Sequence, residues 1–314
     1  MRLIITSLII FSLSCAPDAP HKNPLDPENP DAKGSIKGIV TTLFGTNPIS
    51  DAVVTTFPFH KKDTSNNEGK YSITGLKPAV YLVTVEKDRY ISEIDTITIE
   101  GGEEIESNFQ LNGKPTILTS SVNSLHTKSI TERYEIIFYL TFLDIDAFIA
   151  DSAVAESENE RFLLQYKTGD TILVYKNSII YNSYSSAVTL VGIPFSFWVK
   201  DLGGSYSDTL LSSLERVIEQ SPQIIFPVAG DSISPGDTLR WEPIMESSPI
   251  YFILLNIWER YGDPENPVWS SDTLSISDSV FVFTDSIKSG DYEWAVEIHD
   301  NFGNCSRCVE WLNF

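Results

Sequence analysis

Along Ser35 to Leu43 the apolar positions Ile36, Ile39, Val40 and Leu43 alternate loosely with polar ones. Tyr81-Leu82-Val83-Thr84-Val85 is a run of aromatic and β-branched residues, the composition of a half-buried strand. Between these runs stand Asn47-Pro48, Asn66-Asn67-Glu68-Gly69 and Gly75-Leu76-Lys77-Pro78. The Asn-rich loop ending in Gly69 supplies positive-φ positions for a hairpin, and Pro78 presets the following turn. Helical periodicity is absent, and short strands broken by turn signals at intervals of about 8–12 residues predict a β-sandwich.

Gly113-Lys114-Pro115 reads as a linker, after which a new set of strands begins at Thr116. Tyr134 to Phe142 is long and apolar enough for the centre of a sandwich. Further strands are expected at Arg161–Tyr166, Thr171–Tyr175, Ser186–Val191 and Phe195–Lys200. Leu210, Leu211, Leu214, Val217 and Ile218 fit helical spacing, yet the sandwich pattern favours a strand over Thr209 to Gln220. Ser221-Pro222 opens a third module, with strands expected near Thr238–Pro243, Tyr251–Trp258, Val280–Thr284 and Gly290–Ile298. An internal echo links the last two modules: Phe197 to Ser207 parallels Val296 to Ser306, each an alternating strand running into Asp-x-x-Gly. In both, the Asp is expected to cap a tight turn and the Gly to take positive φ.

The N-terminus changes the picture from folded modules to an address. Met1-Arg2 is followed by an apolar run from Leu3 to Leu13, broken only by Thr6, Ser7 and Ser12. A membrane-spanning helix takes about 20 residues, so residues 1–14 are expected to be a signal peptide. Ser12-Leu13-Ser14-Cys15 resembles a bacterial lipobox, which implies a diacylglyceryl group on Cys15; secretion without lipid is the alternative. Residues 15–33 then form a tether with Pro17, Pro20, Pro24, Pro27 and Pro30. Proline at this density blocks helix and sheet and favours extended chain.

From Gly34 to Leu111 the order of motifs is specific: G-x-V, then Pro48-Ile49-Ser50-Asp51-Ala52-Val53-Val54, then Asn67 to Pro78, then a Tyr-led strand. It resembles the carboxypeptidase regulatory-like domain, which implies a transthyretin-like β-sandwich over residues 34–112. Ala79-Val80 replaces the Gly usual before the Tyr of this strand, favouring a turn without positive φ at Ala79. Residues 113–221 are expected as an immunoglobulin-like β-sandwich. Residues 222–314, with Leu239-Arg240-Trp241-Glu242-Pro243 and the late Ser289-Gly290-Asp291-Tyr292-Glu293-Trp294-Ala295-Val296, resemble a fibronectin type III-like domain. The fold class is thus all-β, tandem β-sandwiches after a signal peptide and disordered tether.

Charge and chemistry narrow the function. Lys+Arg 22 against Asp+Glu 43 gives a formal charge of −21, with no basic cluster to meet phosphates, so nucleic acid is not an expected partner. His21, His60, His126 and His299 are scattered, and none begins the His-x-x-Glu spacing of a carboxypeptidase zinc site. No Gly-x-Ser-x-Gly elbow marks a hydrolase. Asp144, Asp146 and Asp151 lack an Asp-x-Asp-x-Asp-Gly loop and read as a polar strand end.

Cys305-Ser306-Arg307-Cys308 sits in a hairpin context, whereas a redox Cys-x-x-Cys needs a helix N-terminus. A local disulfide between Cys305 and Cys308 is expected in an exported protein, with two free thiols as the alternative. Residues three apart on a strand face opposite sides, so a bridge requires a turn or bulge between them. No metal or cofactor is expected.

The function expected from these features is non-catalytic: a membrane-anchored cell-envelope lipoprotein that binds or scaffolds an unknown protein or glycan. Its location would be the bacterial cell envelope, lipid-anchored. A purely structural spacer, or a hydrolase with an inter-domain site, are the competing readings. Candidate ligand contacts are Trp258, Trp269, Trp198 and Tyr206, provided they are exposed.

Overall fold

The computed structural model describes residue 22 and residues 32–146, 150–167, 173–244 and 250–314. The signal peptide, Cys15 and all of the tether except residues 22, 32 and 33 lie outside the described residues. The chain is all-β and divides into two compact units, Met1–Gly113 and Lys114–Phe314. No helix among the described residues is long and apolar enough to cross a membrane.

The first unit is a sandwich of eight strands: β1 (Gly34–Thr42), β2 (Val53–Phe57), β3 (Lys62–Thr64), β4 (Lys70–Leu76), β5 (Ala79–Glu86), β6 (Glu93–Ile99), β7 (Glu104–Glu106) and β8 (Phe109–Leu111). One sheet runs β4-β1-β7, with β8 also beside β1; the other runs β3-β2-β5-β6. Strand alternation fills the space between them. Ile36 and Val40 of β1, Tyr71 and Ile73 of β4, and Tyr81, Val83 and Val85 of β5 all point into one core. Tyr71 donates its hydroxyl to the Ser107 carbonyl at 2.7 Å, and burial pushes that phenol up to about 12. Gly38 is obligatory on β1, because a Cβ there would lie 1.7 Å from the same carbonyl oxygen.

The second unit carries β9 (Thr116–Lys128), β10 (Glu132–Leu143), β11 (Ala150–Glu156), β12 (Arg161–Lys167), β13 (Leu173–Tyr181), a one-turn helix α1 (Tyr184–Ala187), β14 (Pro194–Asp201) and β15 (Leu210–Ser213). There follow β16 (Ile224–Phe226), β17 (Asp231–Ser232), β18 (Thr238–Trp241), β19 (Ile250–Glu259), β20 (Trp269–Ser270), β21 (Val280–Val282), β22 (Asp291–Asp300) and β23 (Cys305–Asn313). Two cores form. One gathers Phe138, Phe142, Phe195 and Phe197, and the other Trp241, Ile253, Trp294 and Ile298. A single sheet passes by both, in the order β15-β14-β11-β12-β13-β10-β9-β23-β22-β19-β20. The join is the parallel pairing of β9 with β23, where Cys305 to Cys308 run beside Leu125 to Lys128.

Two local expectations need correction. Ser186–Val191 is not a strand: Ser186 and Ala187 end α1, Val188–Leu190 is a 3-10 turn, and Val191 forms an isolated bridge to Leu214. The Ser183 hydroxyl accepts the Ser186 amide at 3.3 Å, and Ala187 and Leu190, three positions apart, both enter the core. Of Thr209–Gln220, only Leu210–Ser213 is strand. The remainder runs irregularly, with Leu214 and Val217 dropped into one core and Ile218 into the other.

Candidate functional site

The repeated Asp-x-x-Gly hairpins end β14 and β22, and each leads to residues with chemical potential. Asp201 accepts the Ser205 amide at 2.8 Å, and Gly204 sits at φ 90. Asp300 accepts the Asn304 amide at 2.8 Å and the Phe302 amide at 2.9 Å, with Gly303 at φ 87. Both turns have the geometry that Asp and a positive-φ Gly encode.

Beyond the Asp201 turn, the chain returns Tyr206 beside Trp198 with ring centroids 5.6 Å apart and planes at 52°. Phe195, Phe197 and Val199 of β14 face the core, so Trp198 falls on the opposite, solvent side. Its indole N–H donates to Glu156 Oε1 at 2.8 Å, which fixes the ring, and Tyr206 is 55% exposed. Arg161 lies 5.2 Å over the Trp198 ring and Lys200 5.9 Å over the Tyr206 ring. These two candidates therefore form one aromatic face.

The other two do not join them. Trp258 is only 3% exposed, with its indole N–H on Glu293 and the Arg307 guanidinium 5.8 Å from its ring. Trp269 packs on Phe281 and Phe283 and donates to Asp285 at 2.6 Å. Trp258 is withdrawn as a ligand contact by burial, and Trp269 is part of the last module's packing.

Beyond the Asp300 turn, the hairpin sets Glu297 opposite Arg307 and His299 opposite Cys305. His299 Nε2 lies 3.1 Å from Glu297 Oε2 and 3.8 Å from Cys305 Sγ. Arg307 reaches Glu297 Oε1 at 3.4 Å and Thr127 Oγ1 at 3.2 Å. Phe252 stacks on His299 with centroids 5.0 Å apart. Burial opposes ionisation of Glu297, but the hydrogen bond from His299 and the charge of Arg307 outweigh it and hold the carboxyl below its usual range. Burial first, and then the Glu297 charge, push the Cys305 thiol up. Glu297, His299, Cys305 and Arg307 line a pocket of about 510 Å³, along with Asn256, Asp263, Glu265 and Lys176. Glu265 binds Lys176 and also lies 3.8 Å from Lys167, tying the loop after β19 to β12 and β13.

In the sequence, His299 is one of four scattered histidines and Cys305 is half of an expected bridge. The signal for their meeting was present: residues 297 and 299, and 305 and 307, share a face when the strands fold about the Asp300 turn. The disulfide is not formed, and both thiols are free and buried. Cys305 and Cys308 stand three apart on the unbroken strand β23, so they face opposite sides of the sheet.

On the same join, His126 Nδ1 lies 3.0 Å from Ser306 Oγ, and His126 Nε2 lies 2.9 Å from Glu132 Oε1. The atom order matches a hydrolytic triad, but the burial is inverted. Ser306 is wholly buried while the Glu132 side chain is half exposed. A sealed hydroxyl cannot meet a substrate, so this chain of contacts fastens β9 to β23. Asp144 and Asp146 lie together, whereas Asp151 pairs with Lys200 at 3.6 Å.

Residues 35–112 match the carboxypeptidase regulatory-like domain. The match spans the two-sheet sandwich of the first unit, and Ala79 begins β5 without positive φ. His60 of this carboxypeptidase regulatory-like module lies exposed in the loop between β2 and β3. No curated protein matches the chain.

Among solved structures, the chain is similar to BcpA, the major pilin subunit of Bacillus cereus, at 12% identity and a TM-score of 0.33, over 90% of this chain and 100% of that one. The FN1-FN3 domains of chicken CNTN1 are similar at 10% identity and a TM-score of 0.28, over 90% and 98% of the two chains. A DUF3823 family protein from Bacteroides ovatus is similar at 13% identity and a TM-score of 0.24, over 58% and 98%.

Proposed function

We propose that the protein is a lipid-anchored cell-envelope protein with a non-catalytic role, binding a glycan at the Trp198–Tyr206 face. The observation that carries this reading is the pairing of a rigid, solvent-side indole with a 55% exposed tyrosine. Aromatic faces stack on the apolar C–H faces of sugar rings; Arg161 and Lys200, which lie over the two rings, would swing aside for a sugar and, with Glu156, offer hydrogen bonds to its hydroxyls. The regulatory-like module and the sealed Ser306 hydroxyl support a binding role rather than catalysis. The basic start, short apolar run, Cys15 and Pro-rich tether support the anchor.

Binding is tested with a panel of soluble oligosaccharides, by calorimetry on the whole chain and on Trp198→Ala and Tyr206→Ala variants. Loss of tenfold or more in affinity in both variants is expected. A panel without a binder, or binding indifferent to both substitutions, overturns the glycan assignment. Intact mass of the mature N-terminus, beside a Cys15→Ser variant, tests the anchor: a lipid-modified Cys15 and a variant released to the soluble fraction are expected.

A further inference from the structure

We propose that Glu297 Oε2, His299 Nε2 and Cys305 Sγ form a three-ligand site for a borderline divalent transition ion, with Zn²⁺ the best match. The three donor atoms lie within 4.8 Å of one another. A tetrahedral Zn²⁺ at its usual bond lengths holds donors about 3.3–3.6 Å apart. The His299–Glu297 and His299–Cys305 separations of 3.1 and 3.8 Å bracket that value, so a small side-chain adjustment admits the ion. A thiolate, an imidazole and one carboxylate suit Zn²⁺, whereas Ca²⁺ and Mg²⁺ require all-oxygen shells.

Supporting contacts are already in place. The hairpin register sets His299 directly across from Cys305, and stacked Phe252 holds the imidazole plane. Arg307 occupies the other oxygen of Glu297 and is itself held by Thr127, the outer-shell arrangement that orients a carboxylate ligand. On binding, the Cys305 thiol gives its proton to solvent and the imidazole proton moves from Nε2 to Nδ1. The Cys305 sulfur and His299 Nε2 then each donate a lone pair to the ion. The fourth position faces the pocket of about 510 Å³ and takes water or a small donor ligand. No metal was expected from the sequence, which has neither a His-x-x-Glu spacing nor an Asp-x-Asp-x-Asp-Gly loop. The third ligand is a carboxylate two residues before the histidine on β22. This inference is independent of the glycan reading, which concerns the other hairpin.

The test uses the whole chain carrying Cys15→Ser, reduced and stripped with chelator, and titrated with Co²⁺ and then Zn²⁺. A thiolate-to-cobalt absorption in the near ultraviolet, saturating at one equivalent and displaced by Zn²⁺, is expected. Cys305→Ser abolishes the band, His299→Gln weakens binding at least tenfold, and Cys308→Ser, on the opposite face, retains it. Should Cys305→Ser misfold, alkylation of the Cys15→Ser chain decides: Zn²⁺ protects Cys305 from the thiol reagent at one equivalent. No cobalt band, a band that follows Cys308 instead, or no protection of Cys305 overturns the proposal.

Discussion

The Asp201 and Asp300 hairpins begin from nearly the same local sequence and close the same turn, yet they live in different surroundings. Asp300 sits at the join of the long sheet. Arg216 Nε lies 3.1 Å from its carboxylate, and the Asn304 that it holds accepts the Ser124 amide of β9 at 2.8 Å. Asp201 lies near the opposite edge, and its charge acts on an acidic neighbour. Burial, the hydrogen bond with Asp146 and the charges of Asp146 and Asp201 push the Asp144 carboxyl up to about 7. One turn is therefore clamped by a cation and by a neighbouring strand, while the other supports an exposed aromatic face beside an acid pair. A local motif sets a backbone conformation, and the sheet around it decides what the motif is worth.

The largest expected effect distinguishes the two aspartates. Asp300→Ala removes a buried ion pair and three hydrogen bonds and should cost about 3–5 kcal/mol, whereas Asp201→Ala should cost about 1–3 kcal/mol. Equal losses in chemical denaturation of the whole chain would break the comparison. The glycines sharpen it further. A Cβ on Gly204 meets nothing within 4 Å, so Gly204→Ala carries only the positive-φ cost of about 1 kcal/mol. A Cβ on Gly303 would lie 2.2 Å from Asn123 Nδ2, so Gly303→Ala should cost about 2–3 kcal/mol and loosen the tie to β9.

Asp144→Asn probes the acid pair. With its folded pKa raised, Asp144 contributes stability below about pH 4 that is lost as pH rises through about 7. The variant should match the parent at pH 4 and exceed it by roughly 1 kcal/mol at pH 8, a value already discounted for solvent screening. Thermal melts at the two pH values measure it.

The smallest effect concerns His126. Burial lowers its pKa against the opposing pull of Glu132 and the backbone at Ile218, with Lys128 adding to the lowering. Between the folded pKa and 6.5 the unfolded chain binds more protons. Its contribution is therefore full above pH 6.5 and lost as pH falls through the folded value. His126→Gln should flatten the acid side of the stability profile, and an unchanged slope would show that His126 does not set it.

The first sandwich was the most legible part of the chain. Its alternation, its Asn-rich turn ending in Gly69 and its Tyr81 strand depend on neighbours close in sequence, and the whole two-sheet core is built from one stretch of about eighty residues. The aromatic candidates were half legible. All four side chains look alike in sequence, and only the surrounding strands bury Trp258 while leaving Tyr206 exposed. Ser186–Val191 misled because its β-branched Val188, Thr189 and Val191 argue for strand, while the Ser183 cap and the core contacts of Ala187 and Leu190 turn it into helix.

The all-β class, the first sandwich and both Asp-x-x-Gly turns were legible from the sequence, because each follows from period-two alternation or from the φ preferences of a few residues, whereas the expected Cys305–Cys308 bridge failed because β23 runs unbroken through both. The tertiary structure alone decided that β9 and β23 pair in parallel across about 180 residues, sealing Ser306 against His126 and framing the pocket beside Glu297, His299 and Cys305. Parallel pairing between distant strands carries no local signature. Its free energy comes from two cores that must be buried at once, which only the assembled chain can do.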